Sequence, residues 1–203
     1  SSVSRCQVYK YIGLENGLSN QKIYYIQKDR RGYMWFLTQE GVDRYDGKYI
    51  KHYNFSDDSI KLDSRIAWTW LYMDSGNILW VIGQKGRIFR YDSQHDKFKL
   101  AYIHPELIRN KPQAFLNYGY LDKNDRIWLC YKDSITWYDI RTGPTLHMPT
   151  PVNGEITAIE QTDSNHFFIG TGNGLFHAGI EKGKLNIMPD KMVEGIGTSV
   201  HEL

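Results

Sequence analysis

The stretch Lys28-Asp29-Arg30-Arg31-Gly32-Tyr33-Met34-Trp35-Phe36-Leu37-Thr38-Gln39-Glu40-Gly41-Val42-Asp43-Arg44-Tyr45-Asp46 reads as turn, strand, tight turn, strand. Asp29 to Gly32 is a polar turn, and Tyr33 to Leu37 is an aromatic, β-prone run. Gln39-Glu40-Gly41 breaks it, and Val42 to Tyr45 alternates apolar with polar. A lone hairpin is marginal in water because its apolar face has no partner. The fold is decided by the return of the pattern.

Asp74-Ser75-Gly76-Asn77-Ile78-Leu79-Trp80 and Asp122-Lys123-Asn124-Asp125-Arg126-Ile127-Trp128 repeat the turn and strand with the same Asp-to-Trp spacing of six. A fourth copy, Asp163-Ser164-Asn165-His166-Phe167-Phe168, is one residue shorter, with Phe for Trp. The second strand closes as Arg44-Tyr45-Asp46, Arg90-Tyr91-Asp92 and Trp137-Tyr138-Asp139, and the fourth copy has His177-Ala178-Gly179 instead. Apolar pairs precede each turn (Ile23/Ile26, Trp68/Leu71, Leu116/Gly119, Ile156/Ile159), and Gly119 is the weakest match. A further β-prone run follows each second strand. Anchor spacings of 45, 48 and 40 residues with four strands per unit are those of propeller blades. No helical pattern longer than about one turn separates the strands, which argues against an α/β chain.

The sequence therefore predicts an all-β propeller with blades over 18–53, 62–103, 112–148 and 154–188. A strand over 8–12 is expected to complete the last blade of the ring, and 196–203 to start the next blade. Four blades and the start of a fifth make this a fragment of a larger ring.

The bulk properties are globular: 203 residues, 41% hydrophobic and 24% charged. Aromatics reach 14%, which favours strands. The net charge of +2 comes from scattered Lys and Arg, so there is no electrostatic case for nucleic acid. No stretch approaches the roughly 18 apolar residues of a membrane span, so no membrane contact is expected within the segment. The start, Ser1 to Arg5, lacks the apolar core of a signal peptide, so the expectation is either a cytosolic protein or a signal removed ahead of Ser1. Cys6 and Cys130 have no spacing that argues for pairing or a metal site, and Cys130 is expected as a buried thiol.

The repeat resembles the two-component regulator propeller of hybrid two-component systems in gut Bacteroides-type bacteria. The residues that carry it are Gly17-Leu18-Ser19-Asn20 leading to Ile23 and Ile26, then Asp29-x-x-Gly32-x-x-Trp35, then Gly41-Val42-x-Arg44-Tyr45. The fourth repeat has Ile169-Gly170-Thr171 and Gly174-Leu175 but lacks the Trp and the Arg-Tyr; the third has Asp133-Ser134 where the family has Gly-Leu. The resemblance implies a seven-bladed ring in the periplasmic sensor region of an inner-membrane histidine kinase. It further implies a homodimer in the intact protein, an oligosaccharide ligand, and phosphorelay to transcriptional control of glycan use. The alternatives are a scaffold for dimerisation or protein interaction, and a sialidase-like glycosidase or lyase propeller.

The repeated Asp, Gly and Trp are expected to be structural, because a catalytic residue is needed once and not in every blade. Each Asp should bond amides of its own turn, and each Trp should pack between sheets. A glycosidase would need an arginine cluster and acidic partners, and Arg65 and Arg87 make no convergent set of three. The seven His are dispersed without ligand spacing, and no phosphate-binding glycine motif occurs, so neither a metal nor a cofactor is expected. Asn54-Phe55-Ser56 is a formal glycosylation sequon. Ligand binding should use the propeller face built from the connections between blades and the turns between second and third strands. The candidates are Asn20, Arg65, Trp68 and Gln113 from the connections, and Gln39, Gln84, Lys132 and Asn173 from the turns. Rings stack on Trp while amides and Arg bond hydroxyls, which suits sugars.

Overall fold

The computed structural model describes residues 10–55, 68–83, 86–103, 115–150, 152, 154–182 and 184–189. Blade 1 comprises β1 (Ile23–Lys28), β2 (Met34–Thr38), β3 (Gly41–Tyr45) and β4 (Ile50–Tyr53). Blade 2 comprises β5 (Trp68–Met73), β6 (Leu79–Gly83), β7 (Ile88–Asp92) and β8 (Lys97–Tyr102). Blade 3 comprises β9 (Leu116–Leu121), β10 (Arg126–Tyr131), β11 (Ser134–Asp139) and β12 (Gly143–Pro149). Blade 4 comprises β13 (Ile156–Gln161), β14 (His166–Thr171), β15 (Gly174–Glu181) and β16 (Lys184–Pro189). Each blade is one four-stranded antiparallel sheet in chain order. The first strands of successive blades lie against one another, β1 on β5, β5 on β9 and β9 on β13, so they are the innermost. This is the propeller arrangement the repeat predicts.

Apolar side chains from consecutive sheets fill the space between blades. Trp35, Leu37 and Val42 of blade 1 meet Leu71, Val81 and Phe89 of blade 2. Trp70, Trp80 and Ile82 meet Ile127, Leu129 and Tyr138. Trp128, Ile135 and Trp137 meet Ile159, Phe167 and Ile169. The motif tryptophans are placed as expected: Trp35 lies 4.8 Å from Tyr91, Trp80 6.1 Å from Tyr138 and Trp128 4.7 Å from Phe167, each on the next blade. The Tyr of Arg-Tyr-Asp is thus the surface that receives the preceding blade's Trp, in blades 2 and 3. The residue cross-strand from the Trp covers its other face: Arg44 stands 5.4 Å over Trp35, Arg90 6.0 Å over Trp80, and Trp137 lies 4.9 Å from Trp128.

Each Asp does more than close its turn. Asp29 Oδ1 accepts the Arg31 and Tyr33 amides at 2.9 Å, and its Oδ2 accepts the Trp35 indole N–H at 3.0 Å. Asp74 and Asp122 hold Trp80 and Trp128 in the same way, at 2.8 and 3.0 Å. The spacing of six is therefore the reach from a turn carboxylate to an indole one strand away. The Asp that ends Arg-Tyr-Asp closes the outer turn: Asp46, Asp92 and Asp139 each accept the amide two residues on.

The fourth repeat differs from its sequence reading. The amide of the leading turn residue meets the carbonyl four positions on at 3.0 Å in every blade, from Asp29, Asp74, Asp122 and Thr162. Thr162, not Asp163, therefore occupies the position of the clamping Asp, and the turn keeps its full length. With Phe168 in the Trp position there is no indole N–H to accept, so the carboxylate is dispensable there. Asp163 instead bonds the Asn165 and His166 amides at 2.9 and 3.0 Å.

Two glycines answer to close approaches. Gly119 breaks the apolar pair of blade 3 because a Cβ there would lie 3.0 Å from the Trp70 ring of blade 2. Gly41 has φ +140°, and a Cβ would meet the Tyr53 carbonyl oxygen at 2.6 Å. In the third blade Ser134, and not Asp133 as the sequence alignment has it, takes the Gly41 position, and the β10–β11 hairpin forms regardless, with the Thr150 amide donating to the Asp133 carbonyl at 2.9 Å. Of the strand expected over 8–12, Lys10, Tyr11 and Ile12 have no ladder partner among the described residues. Val8, Tyr9 and 196–203 lie outside the described residues. Cys130 is a free, fully buried thiol whose pKa burial pushes up.

Candidate functional site

The blades have two ends of different chemistry. At one end the first turns of successive blades are bonded into a belt. The Arg30 amide donates to Asn77 Oδ1 at 2.9 Å, the Ser75 amide to Asp125 Oδ1 at 2.9 Å, and the Lys123 amide to Gln161 Oε1 at 2.6 Å. Asn77 and Asp125 supply the left-handed turn backbone that Gly32 supplies in blade 1, and their side chains reach the preceding blade. The carboxylates of this end are committed to turn, indole and belt. Outside the belt, at the rim between blades 1 and 2, Asp96 is held by the Arg44 guanidinium at 2.9 Å, the Lys51 ammonium at 2.5 Å and the Tyr53 and Tyr91 hydroxyls at 2.6 and 2.5 Å.

Partial burial opposes the Asp96 charge, but the bonds from Lys51, Tyr53 and Tyr91 and the nearby Arg44 outweigh it and hold the carboxyl below the usual carboxylate range. A depressed folded-state pKa contributes stability above the unfolded value of about 4 and loses it as pH falls further. Wild type is therefore expected to lose more stability than Asp96→Asn on acidification from about pH 5 to pH 3, as read by urea unfolding. Equal losses would show that Asp96 does not couple the two blades.

The opposite end carries the second turns and the connections between blades. Asn20 and Gln39 share its blade 1 corner, joined through Ser19 Oγ and Thr38 Oγ1 at 2.9 Å. Asn20 Oδ1 accepts the Lys22 amide at 2.8 Å, and Gln39 is exposed. Lys132 and Asn173 occupy the equivalent turns of blades 3 and 4, both exposed. The Asn173 amide donates to Thr171 Oγ1 at 3.1 Å, and its side chain lies against Gly154 of the incoming connection. Trp68 begins β5 opposite Gly83, at the same end. Arg65, Gln84 and Gln113 lie outside the described residues. Of the polar residues expected to converge here, the described ones are Asn20 and Gln39 at blade 1, Lys132 at blade 3 and Asn173 at blade 4.

A group that sequence reasoning missed organises the blade 1 corner. Asp43 is wholly buried in β3. Its Oδ2 accepts the Ser19 amide at 2.7 Å and the Ser19 hydroxyl at 2.8 Å, while its Oδ1 faces His52 Nδ1 at 2.7 Å. His52 Nε2 lies 2.6 Å from Asn54 Oδ1. The carboxylate stands between hydroxyl and imidazole, so the His cannot take the Ser proton and the trio is not a nucleophilic triad. Its effect is to fasten Gly17-Leu18-Ser19-Asn20 to the sheet. The equivalent positions in β7, β11 and β15 are Phe89, Thr136 and Phe176, so a charged residue where its repeats carry Phe or Thr was the available signal.

A concavity of about 970 Å³ opens on the flank of blade 4 between His166, Phe168, His177 and Met188. In blades 1 to 3 the same surface is covered by the next blade, so this is a packing surface rather than a ligand cleft. Among the described residues no group of three His, Cys, Asp or Glu is placed to hold a metal, and no helix is long and apolar enough to cross a membrane.

Residues 17–40 match the two component regulator propeller family, a match that takes in residues 28–40 of the opening stretch. In shape the chain is similar to the extracellular domain of BT3049 from B. thetaiotaomicron, described as a hybrid two component system. There the identity is 22% and the TM-score 0.66, over 88% of this chain and 26% of that one. The extracellular domain of BT4673 from the same organism, also described as a hybrid two component system, gives 14% and 0.55 over 91% and 31%. Virginiamycin B lyase from Staphylococcus aureus gives 16% and 0.62 over 87% and 57%. At these identities the likeness is one of fold. The chain spans about a quarter to a third of the two B. thetaiotaomicron domains. No curated protein sequence matches it.

Proposed function

We propose that the chain is part of the periplasmic ligand-sensing region of a hybrid two-component sensor kinase. In this reading it detects an oligosaccharide, signals to transcriptional control of glycan use, and is itself non-catalytic. The observation that supports the reading is the two component regulator propeller repeat at 17–40, set in four blades of one build whose shape is that of extracellular domains of two-component systems. The division of labour between the two ends of the blades agrees with it. One end spends its carboxylates on the belt and the indoles, while the other presents amide and ammonium side chains on turns that the sheets hold rigidly.

A ligand that touches several blades at that end favours one arrangement of the ring over others, and the intact protein transmits the difference as a population shift. Thermal unfolding and calorimetry of the full chain with a panel of neutral and acidic plant and host oligosaccharides test the reading. A saturating ligand at about 100 times its Kd is expected to add about 2.7 kcal/mol and raise the midpoint by several degrees. No shift and no binding heat across the panel would remove the case for direct sugar sensing.

A further inference from the structure

The rim between blades 1 and 2 holds a carboxylate, and the frame that grips it recurs one blade further round. Arg44 faces Lys51 across β3 and β4, Val42 faces Tyr53, and Tyr91 comes from the next blade. The arginine, the lysine and both tyrosines close on Asp96. Between blades 2 and 3 the same ladder positions pair Arg90 with Lys99 and Ile88 with Tyr102, and Tyr138 comes from blade 3. The rings keep their places: Tyr102 lies 5.4 Å from Tyr138, as Tyr53 lies 5.8 Å from Tyr91. Between blades 3 and 4, Trp137 and Ala178 stand in the arginine and tyrosine positions, so the frame ends there.

The second frame lacks its carboxylate. Where the β7–β8 turn supplies Asp96, the β11–β12 turn reads Asp139-Ile140-Arg141-Thr142-Gly143. Asp139 is taken up by the Arg141 and Thr142 amides at 2.8 and 3.1 Å. Asp92, which borders the groove, is answered by the Lys99 ammonium and by His95 Nδ1 at 2.8 Å. Arg90 is exposed and, among the described residues, has no ion pair or hydrogen bond; its guanidinium lies 6.0 Å over the Trp80 ring. The Tyr102 and Tyr138 hydroxyls have no hydrogen bond among the described residues either, and neither is closed off from solvent. Arg90 and Tyr138 line one concavity of about 480 Å³, with Ser93 and Gln94 at its edge. The groove is also the wider of the two, with Trp80 6.1 Å from Tyr138 where Trp35 is 4.8 Å from Tyr91.

We propose that the groove between blades 2 and 3 binds an external carboxylate, that of a uronic acid residue, in the role Asp96 fills one blade earlier. The Arg90 guanidinium donates to the carboxylate with the Tyr138 and Tyr102 hydroxyls beside it, as Arg44, Tyr91 and Tyr53 donate to Asp96. Ser93 and Gln94 are exposed at the edge and offer a hydroxyl and a carboxamide to ring hydroxyls, which favours a uronate over a simple acid. The site lies at the rim beside the belt, apart from Gln39, Lys132 and Asn173. That its ligand is a saccharide rests on the sensing reading above.

Isothermal titration of the full chain with trigalacturonate and trimannuronate, the methyl ester of each, and triaspartate tests the site, beside Arg90→Gln and Tyr138→Phe. Wild type is expected to bind a uronate, and to bind its ester and triaspartate about tenfold or more weakly. The ester keeps the ring hydroxyls without the charge, and triaspartate keeps the charge without the ring. Arg90→Gln is expected to weaken the uronate by about tenfold and Tyr138→Phe by about fivefold. Arg90 is exposed, so Arg90→Gln is expected to keep the wild-type thermal midpoint, and the test stands even if Tyr138→Phe is destabilised. Uronate affinity unchanged in Arg90→Gln, or equalled by the ester or by triaspartate, would overturn the site. No binding of either uronate by wild type would overturn it as well. In each of these cases the wider panel of neutral and acidic oligosaccharides decides the sensing reading separately.

Discussion

Trp128→Ala is expected to lower the unfolding free energy by about 3–5 kcal/mol, the range for truncating a buried large aromatic. The ring has no exposed surface, lies 4.9 Å from Trp137 and 4.7 Å from Phe167, and joins blade 3 to blade 4. Its loss leaves a cavity between two sheets that cannot collapse without shifting a strand. It also takes a donor from Asp122, whose Oδ2 keeps only the Arg126 Nε bond at 2.7 Å. Trp128→Phe keeps most of the volume and loses the indole N–H, so it is expected to cost less than the Ala change. Urea unfolding should show the midpoint falling for both with an unchanged slope. A cost under about 1 kcal/mol for Trp128→Ala, the level of a typical surface or neutral change, would mean that blades 3 and 4 do not pack through this tryptophan.

Asp43→Ala is expected to cost about 3 kcal/mol, because the Ser19 amide, the Ser19 hydroxyl and the His52 ring all lose a buried acceptor. The expected signature is local. Ser19 amide exchange should accelerate strongly, while amides of β10 in blade 3 change only with the global stability. Asp43→Asn retains one carbonyl oxygen and should fall between the two. If Ser19 exchange stays at the wild-type rate in Asp43→Ala, the connection through Gly17 to Asn20 is held by something other than this carboxylate. Asn20 and Gln39 flank the Ser19–Thr38 contact and lose their fixed spacing with it.

Both expectations concern residues of the same repeat, and they were not equally legible. Trp128 stands out in the sequence because its spacing from Asp122 recurs, and recurrence is what a stacked architecture requires of its packing residues. Even so, the carboxylate–indole bond that sets the spacing of six is invisible until the turn is built. Asp43 hides inside Val42-Asp43-Arg44, where strand alternation alone makes it look like any polar residue. Its burial depends on Ser19, far away in sequence, folding back over β3. Gly119 looked like a defect in an apolar pair and is the space for Trp70 of the neighbouring blade. Thr162 escaped for the converse reason: alignment by residue type chose Asp163, whereas backbone bonding chooses the position. That the second turns and the connections between blades share one end was identified in outline from the order of turns. Which side chains meet there was not, because the sequence places them on separate blades and says nothing of the axis they share.

Repetition of turn, strand and tryptophan determined by itself that this chain forms blades, since each unit leaves an apolar face that only a copy of the unit can cover. Contacts between residues apart in sequence decided the rest: the belt of turn bonds, the buried carboxylate at Ser19 and the β-bulge in each inner strand. Local pattern fixes which groups a strand presents to each side, but a group's partner across a blade boundary depends on how two sheets are rotated against each other. That rotation is set by the packing of the tryptophans between them, which only the tertiary structure contains.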